Sequence, residues 1–257
     1  MLRDRDQSNR WSGPAEGPPL PLSCRVTGEP DGKPVVLLHA LGNTGRDWAP
    51  LITALAPLGR RLYVPDLRGH GASPRSERYT FELMYRDVVA LLDRYRLDTV
   101  DLVGHSMGGH IGWLIAQRQP ARVRRLVIED TPPPPRDAAA EEEMRLRSAR
   151  EDDRAPVISL YQEFRDLRRS GGLDSAAVRP IIDELRRADP GWWRRLAEVT
   201  AETLVISGGL SSPVPRSLLA EVAGRVPHGR LLAIDAGHYV HRTEPERFCA
   251  EVVRFLS

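Results

Sequence analysis

Cysteine is scarce in this chain of 257 residues, and its two cysteines, Cys24 and Cys249, stand far apart. Neither their number nor their spacing fits a disulfide framework or a cysteine-based metal site. Long apolar runs are also missing, and none approaches the roughly 20 residues that a membrane-spanning helix requires. The first residues are too polar for a secretory signal peptide. We therefore expect a cytoplasmic protein that does not associate with membranes.

An excess of charge of one sign is missing as well, since the chain has 37 basic and 35 acidic residues, for a net charge of +2. So small a net charge does not favour nucleic acid or a membrane surface as a partner. Lys33 is the only lysine, which we attribute to the codon usage of a GC-rich genome. The length allows one α/β domain with a sizeable core. We expect a small-molecule substrate as the partner, and the sequence indicates no particular oligomeric state.

Apolar segments alternate with amphipathic ones along most of the chain, which predicts a parallel sheet covered by helices. The predicted strands cover residues 34–39, 61–65, 99–103, 125–130, 203–207 and 230–235. The clearest predicted helices cover residues 48–58, 80–95 and 245–256. Residues 1–20 are charged and then rich in glycine and proline, and we expect a loose arm there.

One segment interrupts this alternation. Four consecutive prolines follow Thr131, and about 65 residues pass before the next predicted strand. Three stretches in between have a helical pattern, namely residues 138–150, 156–169 and 175–188. Because connections in α/β folds are normally short, we predict a helical cap over residues 132–199, inserted into a core of residues 21–131 and 200–257. Ordinary crossover helices are the alternative interpretation.

Residues 104–109, Gly-His-Ser-Met-Gly-Gly, carry the strongest chemical signal. An apolar stretch precedes this motif, and a segment with helical spacing follows it. In the order strand, tight turn, helix, the pattern G-x-S-x-G forms a nucleophile elbow, in which a strained backbone exposes the serine hydroxyl. Gly104 and Gly108 leave room for the strand and the helix to approach each other. The motif therefore predicts that Ser106 is a nucleophile.

Four motifs, taken in order, resemble those of the α/β-hydrolase fold family, and the resemblance covers about residues 22–257. They are LLHALGNTGRDW (37–48), PDLRGHGAS (65–73), VGHSMGGHIGW (103–113) and IDAGHYVHRTEPERF (234–248). The resemblance implies a mostly parallel α/β-hydrolase sheet with helices on both faces and a helical cap insertion. In that family the catalytic triad runs nucleophile, acid, histidine along the chain.

The resemblance assigns Ser106 as the nucleophile and His238 as the base that takes its proton. His241, three residues further on, is a weaker alternative for the base. Three other histidines lie in motifs that match scaffold loops of the family, where we expect hydrogen bonding instead of proton transfer: His39, His70 and His105.

The resemblance also implies an oxyanion hole of two backbone N–H groups, which stabilise the negative charge that develops during attack on a carbonyl. One belongs to Met107, directly after the nucleophile, and the other to Leu41, in the loop after the first predicted strand. Ala40 stands where the family usually has a second glycine. Its methyl group narrows the space for acyl groups without removing the N–H group.

The acid is where the sequence departs from the family. Members commonly place an aspartate after the strand that matches residues 203–207, but residues 208–215 contain no carboxylate. We favour Asp130, at the end of the preceding strand, a position that some relatives use, and Glu129 is the alternative acid. Because adjacent strand residues point to opposite faces, only one of the two can face His238. Asp235 as the acid, or the loss of the acid altogether, are the other interpretations.

The predicted function is a serine hydrolase that cleaves a small to medium ester, lactone or thioester through an acyl-enzyme on Ser106. The sequence has no metal-ligand cluster and no nucleotide-binding loop, so we expect neither a metal nor a cofactor. Substrate-binding residues cannot be assigned, because no motif encodes the packing of the lid. The alternatives are a C–C bond hydrolase or a cofactor-free perhydrolase on the same triad, and a hydrolase-fold ligand-binding protein with little turnover.

Overall fold

The computed structural model describes residues 17–149 and 172–257. In these two segments seven strands form one sheet: β1 Cys24–Gly28, β2 Pro34–Leu38, β3 Arg61–Pro65, β4 Val100–His105, β5 Val123–Glu129, β6 Glu202–Ser207 and β7 Gly229–Ala233. Their order across the sheet is β1-β3-β2-β4-β5-β6-β7. The β1–β3 pair is antiparallel, and the other five pairs are parallel. The predicted mostly parallel sheet is confirmed.

All six predicted strands are found, with ends within two residues of those predicted. Their apolar runs are explained by burial, since every residue of β4 is buried between helices on both faces of the sheet. The edge strand β1 was not predicted. Its residues are only partly buried or exposed, so its sequence lacks the apolar run by which the other strands are recognised.

Nine α-helices lie in the described segments: α1 Ala49–Leu55, α2 Phe81–Arg94, α3 Met107–Arg118, α4 Ala138–Ala149, α5 Val178–Leu185, α6 Pro190–Arg195, α7 Arg216–Arg225, α8 Val240–Thr243 and α9 Pro245–Leu256. The predicted helices over 80–95 and 245–256 are α2 and α9. Thr80 caps the start of α2, since its hydroxyl accepts a hydrogen bond from the backbone N–H of Leu83 at 3.1 Å. Within the described residues, no helix combines the length and the apolar content needed to cross a membrane.

Helices cover both faces of the sheet. On one face, Met84 of α2 and Ile111 of α3 belong to a buried apolar cluster that also contains Leu102 of β4. On the other face, Leu51 of α1 and Phe248 of α9 belong to a second buried cluster. The two clusters confirm the predicted coverage of both faces, and they leave the carboxyl ends of the parallel strands for the loops that carry the site.

The long segment between β5 and β6 carries α4, α5 and α6. The helix predicted over residues 156–169 lies outside the described residues, as do residues 1–16 of the predicted arm. Helix α6 was not predicted; it begins at a proline, and the carboxylate of Asp189 accepts a hydrogen bond from the backbone N–H of Trp192 at 2.8 Å. The division of the chain into a core and a cap stays a prediction.

Candidate active site

Ser106 occupies the turn between β4 and α3, with φ of +50° and ψ of −114°. A serine rarely adopts a positive φ, so the surrounding structure must impose this conformation. A Cβ atom on Gly104 would lie 2.6 Å from the carbonyl oxygen of Gly108, and one on Gly108 would lie 2.3 Å from that of Leu38. Only glycine fits at these two positions, which allows the sharp turn to form. The turn leaves Ser106 partly exposed.

His238 lies after β7, and its Nδ1 is 2.8 Å from Oδ2 of Asp130. The carboxylate of Asp130 is fully buried, whereas 15% of the His238 side chain is exposed. Asp130 follows the last residue of β5 with a φ of +41°, a conformation that aspartate tolerates better than most residues. A carboxylate at Nδ1 keeps the proton on that nitrogen, so Nε2 of His238 has a free lone pair that can accept a proton.

The loop after β6 holds the Asp130 carboxylate from the other side. The backbone N–H of Gly208 donates to Oδ1 at 2.8 Å, and the hydroxyl of Ser212 donates to Oδ2. The loop in which relatives commonly carry the acid therefore supplies hydrogen-bond donors to an acid on the neighbouring strand. Sequence reasoning missed Ser212, since one serine in a loop rich in glycine and serine has no distinguishing signal.

Glu129 contacts His241 and not His238. Its two carboxylate oxygens lie 2.9 and 2.8 Å from Nδ1 of His241, and Oε1 also accepts the backbone N–H of His241 at 2.8 Å. The expectation that only one of the two adjacent acids faces His238 is confirmed by this geometry. The spacing of two histidines by three residues, together with two adjacent acids, was the signal that could have indicated two pairs.

Asp235 does not take part in either pair. Its exposed carboxylate accepts hydrogen bonds from the hydroxyl of Ser211 at 2.9 Å and from the backbone N–H of the same residue at 3.2 Å. These bonds lower the pKa of Asp235. Its role is therefore local to the loop after β6.

The loop after β2 holds the proposed oxyanion donor in a tight turn, because the backbone N–H of Asn43 donates to the carbonyl oxygen of Ala40 at 3.1 Å. Nε2 of His70 accepts the N–H of Gly42 at 3.0 Å. Burial lowers the pKa of His70 to about 3, so the ring is neutral and can act as this acceptor. Leu41 lies inside the turn and is itself buried.

His39 and His105 also act as hydrogen-bonding groups. Nε2 of His39 accepts the backbone N–H of Leu67 at 2.9 Å, and burial lowers the pKa of His39. Nε2 of His105 lies 2.9 Å from the carbonyl oxygen of His238 and donates to it. These bonds agree with the hydrogen-bonding roles predicted for His39, His70 and His105. Met107 is the first residue of α3, where a backbone N–H has no acceptor within the helix.

His105, Glu129 and His241 form the one cluster of possible metal ligands among the described residues. Nδ1 of His105 and Nε2 of His241 are buried without a hydrogen-bond partner. Both oxygens of Glu129, however, lie within 2.9 Å of Nδ1 of His241, which is the distance of a hydrogen bond between the ring and the carboxylate. The cluster fits a hydrogen-bonded pair better than a metal centre.

Comparison with known proteins gives consistent similarities. Residues 33–156 match the sequence profile of the family described as alpha/beta hydrolase fold. The chain is 31% identical over 248 residues to the putative carbamate hydrolase RutD of Rhizobium rhizogenes, covering 88% of this chain and 94% of that protein. It is 29% identical over 281 residues to the sn-1-specific diacylglycerol lipase ABHD11 of Mus musculus, covering 97% and 90% of the two chains.

Among solved structures, the enol-lactonase of Burkholderia xenovorans LB400 superposes with a TM-score of 0.72. The two chains are 25% identical, and the match covers 91% of this chain and 96% of the lactonase.

Proposed function

Because this chain belongs to the α/β-hydrolase fold family, we propose that it cleaves a small to medium ester, lactone or thioester through an acyl-enzyme on Ser106. The predicted class, a serine-hydrolase-like enzyme with an esterase character, is confirmed by the names of its relatives. One observation supports the more specific proposal above all others. It is the 2.8 Å contact between Asp130 and His238, on the same edge of the sheet as the strained turn at Ser106.

The chemistry follows from the proton positions. Nε2 of His238 takes the proton of the Ser106 hydroxyl as its oxygen attacks the carbonyl carbon of the substrate. The backbone N–H groups of Leu41 and Met107 stabilise the oxyanion, an effect of about 3–4 kcal/mol per donor in comparable sites. His238 then passes the proton to the leaving group, and water, activated by the same histidine, releases the acyl group.

Asp130 completes the proposed triad without touching the substrate. Its carboxylate keeps the proton on Nδ1 of His238 and stabilises the positive charge that the imidazole gains during attack. The interpretation of the chain as a ligand-binding protein depended on the absence of a carboxylate from residues 208–215. The donors of that loop now face Asp130, which supports the catalytic interpretation.

We also propose that helices α4, α5 and α6 form a cap that shapes the substrate cavity. Two features support this. Backbone hydrogen bonds of 2.8 Å join Gly172 to Gly71 and Asp174 to Gly69, which ties the segment to the loop after β3. Nε1 of the buried Trp193 donates to the carbonyl oxygen of Pro134 at 2.8 Å, which ties α6 to the start of the segment.

The substrate class is taken from the chemistry of the site and of its relatives. A serine nucleophile attacks carbonyl carbons that carry a leaving group. Diacylglycerols and enol-lactones, which the names of two relatives mention, contain such an ester carbonyl, and carbamates contain its nitrogen-substituted counterpart. Esters with an apolar acyl part are the proposed substrates.

Hydrolysis of p-nitrophenyl acetate and butyrate, combined with labelling by a fluorophosphonate probe, tests the proposal. We expect turnover and covalent labelling in the wild type, and loss of both in Ser106→Ala. Ser217→Ala, which alters an exposed serine at the start of α7, is the matched control and should keep both. Wild-type turnover in Ser106→Ala would refute the proposed nucleophile.

The same serine serves the two enzymatic alternatives, so substrate comparison separates them from ester hydrolysis. A C–C bond hydrolase would turn over ring-cleavage products faster than esters. A perhydrolase would form peracids when hydrogen peroxide is supplied with a carboxylic acid. Either result would replace the ester as the substrate while keeping Ser106 as the nucleophile.

A further inference from the structure

We propose that Glu129 and His241 form a buried second histidine–carboxylate pair that positions His238 for catalysis without touching the substrate. The inference rests on the proposed function, since it assigns two positioning residues to the same reaction. Glu129 and Asp130 are adjacent at the end of β5, and each holds one histidine of the segment 238–241.

The contacts of Glu129 fix both the backbone and the side chain of His241. Oε1 accepts the backbone N–H of His241 at 2.8 Å, and Nδ1 of the same residue lies 2.8 Å from Oε2. A carboxylate that binds both groups fixes the position of the chain and the orientation of the ring together. The pair therefore fixes the first turn of α8, which begins two residues after His238.

His105 holds the backbone at His238 itself. Its Nε2 donates to the backbone carbonyl oxygen of His238 at 2.9 Å, and the two rings pack with centroids 4.8 Å apart. His105 is also the partner of Glu129 in the register of β4 and β5. The backbone of residues 238–241 is thus fixed to two neighbouring strands, one of which ends at the serine turn and the other at Asp130.

This arrangement is needed because the Asp130–His238 bond does not by itself set the distance from the imidazole to Ser106. One hydrogen bond at Nδ1 leaves the ring free to swing with its backbone, which would move Nε2 relative to the serine hydroxyl. The bonds from His241 to Glu129, and from His105 to the carbonyl oxygen of His238, remove that freedom. A misplacement of 1 Å in a catalytic constellation can lower the rate by about 10²-fold.

Burial excludes a direct chemical role for the second pair. The side chain of Glu129 is fully buried and that of His241 is 4% exposed. The ring of His241 packs against Trp48 at 4.9 Å and against Phe248 at 6.0 Å between centroids, and both residues belong to the buried apolar cluster between the sheet and α1 and α9. A group enclosed in this way has no path to the substrate, so it can act only by positioning His238.

Substitution of Glu129 tests the inference. In Glu129→Leu, which removes the acceptor, we expect kcat for p-nitrophenyl butyrate to fall by about 10²-fold while KM changes less than threefold. Glu129→Gln keeps both contacts, because its oxygen can accept the backbone N–H of His241 while its NH₂ group donates to Nδ1 of the neutral ring. It should therefore restore kcat to within about tenfold of the wild type. A proton resonance from the His238–Asp130 hydrogen bond should weaken in Glu129→Leu and return in Glu129→Gln.

Asp101→Leu is the matched control. Asp101 is another fully buried carboxylate, on the neighbouring strand β4, but its partners are Arg60 and Arg124 at the opposite end of the sheet. It should lose thermal stability as Glu129→Leu does and keep the wild-type kcat in the folded protein. If Glu129→Leu does not fold, the double variant Glu129→Leu/His241→Leu replaces both buried polar side chains by apolar ones and takes its place.

The outcomes distinguish this inference from the proposed function. Wild-type kcat in Glu129→Leu, with Ser106→Ala inactive, would overturn the positioning role and leave the nucleophile in place. Equal losses of kcat in Glu129→Leu and Asp101→Leu would also overturn it, because they would show a general effect of stability. Activity in Ser106→Ala would overturn the proposed function itself.

Discussion

Replacing Asp130 by asparagine would reverse the proton arrangement of His238. In the wild type, Oδ1 of Asp130 accepts the N–H of Gly208, and Oδ2 accepts from His238 and Ser212. A backbone N–H can only donate, so the oxygen of the new asparagine must face Gly208. Its NH₂ group then faces Nδ1 of His238, and this nitrogen must be unprotonated to accept a hydrogen bond.

The expected loss of kcat in Asp130→Asn follows from that tautomer. With the proton moved to Nε2, His238 has no free lone pair on that nitrogen and cannot take the proton of the Ser106 hydroxyl. A change of this kind lowers kcat by about 10⁴-fold in serine hydrolases with the same triad. At 1.36 kcal/mol per tenfold change, the loss corresponds to about 5.5 kcal/mol of activation free energy.

The assay is kcat for p-nitrophenyl butyrate, measured in protein whose fold is verified by circular dichroism. Asp235→Asn is the matched control, because Asp235 binds Ser211 in the neighbouring loop and should keep wild-type turnover. Turnover of Asp130→Asn within tenfold of the wild type would refute the tautomer argument. A comparable loss in Asp235→Asn would show that the loss of activity is not specific to Asp130.

Two further predictions concern pH and packing. Burial lowers the pKa of His110 from 6.5 to about 4. Between these two pH values the unfolded state binds more protons than the folded state, so the free energy of unfolding falls with falling pH, by about 3 kcal/mol in total. His110→Phe should therefore flatten the dependence of Tm on pH, and an unchanged slope would contradict this. Gly108→Ala places a Cβ atom 2.3 Å from the carbonyl oxygen of Leu38 and should lower both Tm and kcat, whereas Gly224→Ala, with open space around it, should lower neither.

Much of the fold could be predicted because its signals are local. The apolar run of residues 34–38 and the capping threonine before α2 act within their own segments. The strand β1 was missed for the opposite reason, whereas α6 has only six residues, too few for a helical period to be recognised in its sequence. Strand β1 is stabilised by its antiparallel pairing with β3, which its own short and partly exposed sequence does not indicate.

The candidate site was only partly accessible from the sequence. The elbow at Ser106 was predicted from one short motif, since the glycines that permit the turn are its neighbours in the chain. Asp130 was preferred over Glu129 from its position, and the structure brings Asp130 to His238. The donor Ser212 and the pair of Glu129 with His241 were not predicted, because their partners come from distant segments.

The sequence by itself determined the alternation of six strands with helices, the strained serine turn and the family, since these depend on the pattern of neighbouring residues. Only the tertiary structure decided which carboxylate meets which histidine. Asp130 and His238 are 108 residues apart, and Glu129 and His241 are 112 residues apart. Such pairs form only when β5 and the segment after β7 meet at one edge of the sheet, where the left-handed turn at Asp130 directs its carboxylate toward His238.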